Sequence, residues 1–157
     1  MEEKIKQLEE NPSLRSISGV INIPVVVHVV YHDDEENISA ELIQAQIDAL
    51  NQDFRRLNTD ADDIWPQAVD TEIEFALAQY DPCGFPTTGI TRTYNATDIS
   101  VVEGQGQDYI SNSDVGGKDG WSSGSYLNFW IADIPQGLSG FAQYPVYNFP
   151  DRPTNGI

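Results

Sequence analysis

The chain has 157 residues, with 8 Lys+Arg against 25 Asp+Glu, a formal charge of −17. That length allows one ordinary domain or one piece of a larger one, and that charge excludes a general nucleic-acid binder and argues against docking on anionic lipid. At 39% hydrophobic and 10% aromatic the chain can build a core, while a single cysteine, Cys83, excludes an internal disulfide framework and a multi-Cys zinc ribbon.

Residues 1–18 predict a short polar helix and then a linker, broken at Asn11-Pro12. Met1 to Glu10 is charged throughout and lacks the apolar stretch of a signal peptide. Ile21 to His32 is dense in β-branched residues and apolar on both faces, as a central, largely parallel strand should be. Its apolar run, Ile23–Tyr31, is interrupted by His28 and is far too short to cross a bilayer. After a polar turn at Asp33–Asn37, Ser39 is a helix cap with Glu41 in the first turn. Ile43, Ile47, Leu50, Phe54 and Leu57 then follow at helical steps, so the helix should end near Asn58.

Ile73, Phe75 and Leu77 alternate with Glu72, Glu74 and Ala76, a strand pattern closed by a turn at Asp81-Pro82-Cys83-Gly84. Gly89 to Tyr94 adds a short strand. From Asn95 to Ser125 the chain is polar and holds six of its twelve glycines, which reads as one long loop. Tyr126 to Ala132 is a second strongly apolar strand. Gly140 to Tyr144, stopped by Pro145, is a further strand placed at an edge by the proline. The order implies an α/β layer: a twisted, mostly parallel sheet with an antiparallel edge strand and one backing helix. No helix is left to cover the second sheet face, so the chain reads as cut near Asp151–Ile157.

The candidate chemistry is mostly near-misses. His28 and His32 are the only histidines, at the i, i+4 spacing of helical zinc motifs, but Val29 stands where H-E-x-x-H has its glutamate. On a helix such a pair is about 6 Å apart. On a strand it is roughly 13 Å apart, too far to share one zinc, so one histidine packs in the sheet and the other sits at its mouth. Gly104-Gln105-Gly106 has Tyr109 in place of the third dinucleotide-loop glycine, and Gly117-Lys118 lacks the rest of a phosphate loop. No nucleophile elbow occurs. Asp81, Pro82 and Gly84 supply no positive charge to activate Cys83. Asp33–Glu36 and Asp60–Asp63 are candidate calcium loops that do not fit the EF-hand pattern. Asn37-Ile38-Ser39 and Asn95-Ala96-Thr97 match the glycosylation sequon.

Three blocks, in order, carry a family resemblance. INIPVVVHVVYHDDEENISAELIQAQIDALNQDFRRLNTD resembles the start of the catalytic domain of pappalysin-type (ulilysin-like) metzincin peptidases. IEFALAQYDPCGFPTTGITRT is similar to the family's second strand and following turn, and SYLNFWIADIPQGLSGFAQYP to its third strand and edge strand. The resemblance implies a secreted zinc endopeptidase acting on peptide or protein substrates. Its metal would be held by an extended H-E-x-x-H-x-x-G-x-x-H helix that this sequence lacks, as it lacks the methionine turn, Met1 being the only methionine. Residues 19–157 are then the N-terminal subdomain of such a catalytic domain, and residues 1–18 a remnant of a pro-segment. No catalytic residue and no metal ligand is expected in this chain: zinc belongs to the full-length enzyme, and calcium is a second candidate metal. By resemblance the edge strand Leu138, Ser139, Gly140, Phe141, Ala142, Gln143 and Tyr144 is the upper rim of the cleft. An unpaired edge offers alternating N–H and C=O groups to an extended peptide. The alternative is a non-catalytic acidic α/β binding module with calcium as its candidate ligand.

Overall fold

The computed structural model describes residues 19–61, 64–102 and 106–134, together with Gly140 and Ala142; of residues 106–108 it describes the backbone. The first strand, β1 (Ile21–Tyr31), is the centre of the sheet, and Val25 to Val30 are all buried. Six consecutive buried residues require cover on both faces, because side chains alternate along a strand.

Helix α1 (Ala40–Phe54) supplies one cover. Ser39 is its N-cap and accepts the Leu42 N–H, as the sequence implies. The C-terminus comes earlier than the apolar spacing predicts. Arg56 takes a φ of 52°, its N–H bonds the Asp53 carbonyl, and the Leu57 N–H bonds the Gln52 carbonyl. Those paired bonds around a left-handed residue close a helix. Leu57, expected on the buried stripe, is therefore outside the helix and exposed. Ile43 and Ile47 pack with Val25, Val27, Val29 and Phe75 to form the main core, and Phe54 meets Phe75 edge to face at 4.8 Å. Burial of each such aliphatic side chain contributes about 1.5–3 kcal/mol.

Strands β2 (Ile73–Leu77), β3 (Ile90–Tyr94) and β4 (Leu127–Ile131) all run parallel to β1. Val25 pairs with both Leu77 and Leu127, and Val27 with both Ile90 and Phe129. A strand has two edges, so β2 and β3 lie end to end along one edge of β1 and β4 lies along the other. Residues 79–88 leave that composite strand as a hairpin, bridged at Tyr80 and Pro86. A Cβ on Gly89, at φ 72°, would sit 2.7 Å from the Ala78 nitrogen, so the close return of the hairpin requires glycine. On the outer side of β2 the Asn51 amide accepts the Phe75 N–H at 2.7 Å and donates to the Phe75 carbonyl at 2.9 Å. That side chain stands in for a neighbouring strand and blunts the edge.

The second sheet face departs from expectation. Residues 95–126 do not form one long loop. They contain a 3-10 turn at Ile99–Val101, helix α2 (Gly106–Ser111) and another 3-10 turn at Ser113–Val115. Ile99 and Ile110 are buried against Val30, with Tyr109, Trp130, Ala132 and Ile134 packed around them. The segment thus covers the face for which the sequence provides no helix. Its pieces are too short to show helical periodicity, which is why composition reads them as loop. The mostly parallel α/β sheet with a backing helix is as expected; the residues expected to form an antiparallel edge strand fall almost wholly outside the described residues.

Candidate functional site

Of the residues expected at the rim, Leu138, Ser139, Phe141, Gln143 and Tyr144 lie outside the described residues, while Gly140 and Ala142 are exposed. What the structure places in detail is the sheet that leads to them. Strand β4 is followed by Ala132 and Ile134, both packed on the second core.

Beneath β4 lies a buried polar cluster centred on His28, whose exposure is 0%. Its register neighbours are Thr91 on β3 and Trp130 on β4. Ring atom Nδ1 is 2.7 Å from Thr91 Oγ1, and Nε2 is 3.1 Å from Asn128 Oδ1. The Asn128 oxygen also accepts the Trp121 N–H at 2.7 Å, while its Nδ2 donates to the Trp121 carbonyl at 2.9 Å. That pair of bonds fixes which end of the amide is oxygen. His28 Nε2 therefore carries the proton and donates, and Nδ1 accepts the Thr91 hydroxyl. The Trp121 and Trp130 rings stand 6.2 and 5.2 Å from the imidazole, and Trp130 Nε1–H donates to the Lys118 carbonyl at 2.7 Å. Burial pushes the His28 pKa down to about 4; the Asn128 hydrogen bond opposes this and the Lys118 charge adds to it. At neutral pH the ring is uncharged, fully bonded and out of reach of any substrate.

His32 lies at the end of the strand, half-buried, with Nδ1 on the Asn95 carbonyl at 3.0 Å and its ring stacked on Tyr94. The two histidines thus occupy separate environments, one in the sheet and one at its mouth, as strand geometry predicts. These residues do not fit a zinc ion. Both nitrogens of His28 are engaged by protein groups, and among the described residues no three His, Cys, Asp or Glu side chains converge on a common point.

Other candidates resolve into local structure. Asp33 Oδ1 accepts the N–H groups of Glu35 and Glu36, and Glu36 accepts that of His32, so the first acidic loop is bonded to its own backbone. In the second, Asp62 and Asp63 lie outside the described residues. Cys83 is exposed in a turn organised by Asp81, whose Oδ1 accepts the N–H groups of Cys83 and Phe85. The sequon at Asn95 is overturned. That side chain is buried, accepts the Thr97 N–H and donates to the Tyr109 carbonyl, so no glycan can be attached to it in the folded chain.

Asn128, Trp121 and Thr91 belong to no motif that marks them in the sequence. The signal for Asn128 was there: it is the one polar side chain inside the apolar run Leu127–Ala132, as His28 is inside Val25–Val30. A buried polar group in each of two adjacent strands needs a partner, and each supplies the other's.

No protein-family model matches the chain, and no curated protein does. Solved structures do. Mature mirolysin of Tannerella forsythia, in complex with a cleaved peptide, is 41% identical over 81% of this chain and 47% of its own, with a TM-score of 0.73. Mirolysin in complex with a small compound gives 42% identity, the same 81% and 47% coverage, and a TM-score of 0.72. A mutant of Tannerella forsythia promirolysin is 39% identical over 90% of this chain and 48% of its own, with a TM-score of 0.74. The chain spans about half the length of the solved relatives it matches.

Proposed function

Because the chain belongs to the pappalysin-type metzincin metallopeptidases over part of the catalytic domain, we propose that it is the N-terminal part of a secreted zinc metalloendopeptidase. In this reading it contributes the parallel sheet and the upper rim of the substrate cleft, and it has no hydrolytic activity alone. The observation that carries the proposal is identity of about two residues in five to mirolysin across four fifths of the chain. A mature mirolysin structure holds a cleaved peptide, which supports a peptide as the substrate class here. Identity at that level favours the peptidase over a self-standing acidic binding module.

This chain's own part is positioning. The histidines are committed to the sheet, so zinc and the general base belong to sequence outside the 157 residues. Leu138 to Tyr144 would bind extended peptide through backbone N–H and C=O groups. The formal charge of −17 opposes nucleic acid as a partner, and among the described residues no helix is long and apolar enough to cross a membrane. Residues 1–18 are assigned as a pro-segment remnant and residues 19–157 as the subdomain itself.

The test is a chimera. The chain joined to the portion of mirolysin beyond the matched half should cleave extended peptides and lose that activity to a chelator. The chain alone, supplied with zinc, should not cleave them. Cleavage by the chain alone, or a folded chimera that holds zinc but leaves peptides intact, would overturn the proposal.

A further inference from the structure

The two sheet faces differ in one respect that bears on how the molecule responds to acid. The face under α1 is packed by Val25, Val27, Val29, Ile43, Ile47 and Phe75, with no titratable group among them. The opposite face has His28 at its middle, bonded to Thr91 on β3 and to Asn128 on β4, with Asn128 in turn accepting the N–H of Trp121 in the covering segment, whose ring stands edge-on to the imidazole. We infer that His28 is an acid-sensitive latch: protonation at Nδ1 frees residues 112–126 from β4 while the α1 face stays packed.

In the neutral ring every polar atom is matched, and Nδ1 is the acceptor. A proton taken from solvent onto Nδ1 turns that atom into a donor facing a hydroxyl that was donating to it. Thr91 can rotate its hydroxyl, but the new positive charge has no carboxylate to meet. From β3 the neighbour is Thr91, and from β4 they are Asn128 and Trp130, all uncharged. From the covering segment come Trp121 and the like charge of Lys118. The nearby carboxylate of Asp119 is turned to Ser113, accepting both its N–H and its hydroxyl. Arg92, next to Thr91, reaches Asn37 at the start of the α1 layer. The imidazolium is stabilised only by letting water in, and the way in is to part Trp121 and Asn128. The depressed pKa of the ring agrees with this placement.

The experiment uses the full chain. The tryptophan bands of the near-ultraviolet circular dichroism report Trp121 and Trp130 on the His28 face, Trp65 being exposed, and far-ultraviolet dichroism reports α1 and the sheet. On acidification the near-ultraviolet signal should be lost in a step with a midpoint at least half a pH unit above the loss of the far-ultraviolet signal. His28→Gln, whose amide can donate to Asn128 and accept from Thr91 without titrating, should merge the two steps. Should that variant fail to fold, hydrogen exchange of the parent chain decides: amides of 112–126 should lose protection at a higher pH than those of Leu127–Ile131 and Ala40–Phe54. A single concerted loss in the parent chain, or separate steps that persist in His28→Gln, would overturn the latch.

Discussion

Asn128→Ala is the substitution on which the account of the second sheet face stands most exposed. The side chain is fully buried and holds three otherwise unmatched groups: the Trp121 N–H, the Trp121 carbonyl and His28 Nε2–H. A buried polar group left without a partner costs about 1–3 kcal/mol, so three cost about 4 kcal/mol once some water enters. For a chain of this length each kcal/mol lowers Tm by about 2–4 °C, which gives a drop of about 12 °C. Asn51→Ala is the internal control, since it also removes two hydrogen bonds to one backbone, those at Phe75. That site lies at the sheet edge where water can replace the amide, so the cost should be about 1 kcal/mol. Thermal unfolding followed by near-ultraviolet dichroism compares the two directly. If Asn128→Ala melts within a few degrees of the parent chain, or no lower than Asn51→Ala, the cluster is not the tie described.

Gly116→Ala should cost about 2 kcal/mol or more in a urea titration, because φ is 95° and the new Cβ would sit 2.6 Å from Asn95 Oδ1; a neutral result would show that the turn can shift. The His28 pKa is about 4 folded against 6.5 in the ordinary range, so the unfolded chain takes up the proton first. Stability should therefore be undiminished above pH 6.5 and fall by up to about 3 kcal/mol toward pH 4, an acid slope measurably shallower in His28→Gln denaturation curves. Equilibrium dialysis should find no tightly held zinc in the chain alone; one equivalent lost in His28→Ala would contradict the partner assignments. In the mirolysin chimera, Ala142→Pro or Phe141→Pro, depending on which N–H faces the cleft, should lower peptide turnover several-fold with zinc content unchanged. Parental turnover in both would remove Leu138–Tyr144 from the rim.

Local signals in the sequence carry much of this fold. β-Branched density marked β1 as central, Ser39 marked the start of α1, and alternation marked β2, because each is a local signal that tertiary context had no reason to override. The strand reading also removed His28 and His32 as a zinc pair, since 3.3 Å per residue holds whatever the neighbours are. Other features depended on contacts distant in the chain. Where α1 stops is decided by Arg56 entering the left-handed region, which no apolar spacing announces. That β2 and β3 share one edge follows from Gly89 returning against Ala78. The second face is covered by pieces too short to have a period, and Asn95 is shut away from solvent by Tyr109. The His28–Asn128 bond spans 100 residues. Sequence alone showed two polar residues misplaced in apolar strands; only the parallel register of β1 and β4 brings them to 3.1 Å and makes each the reason the other can be buried.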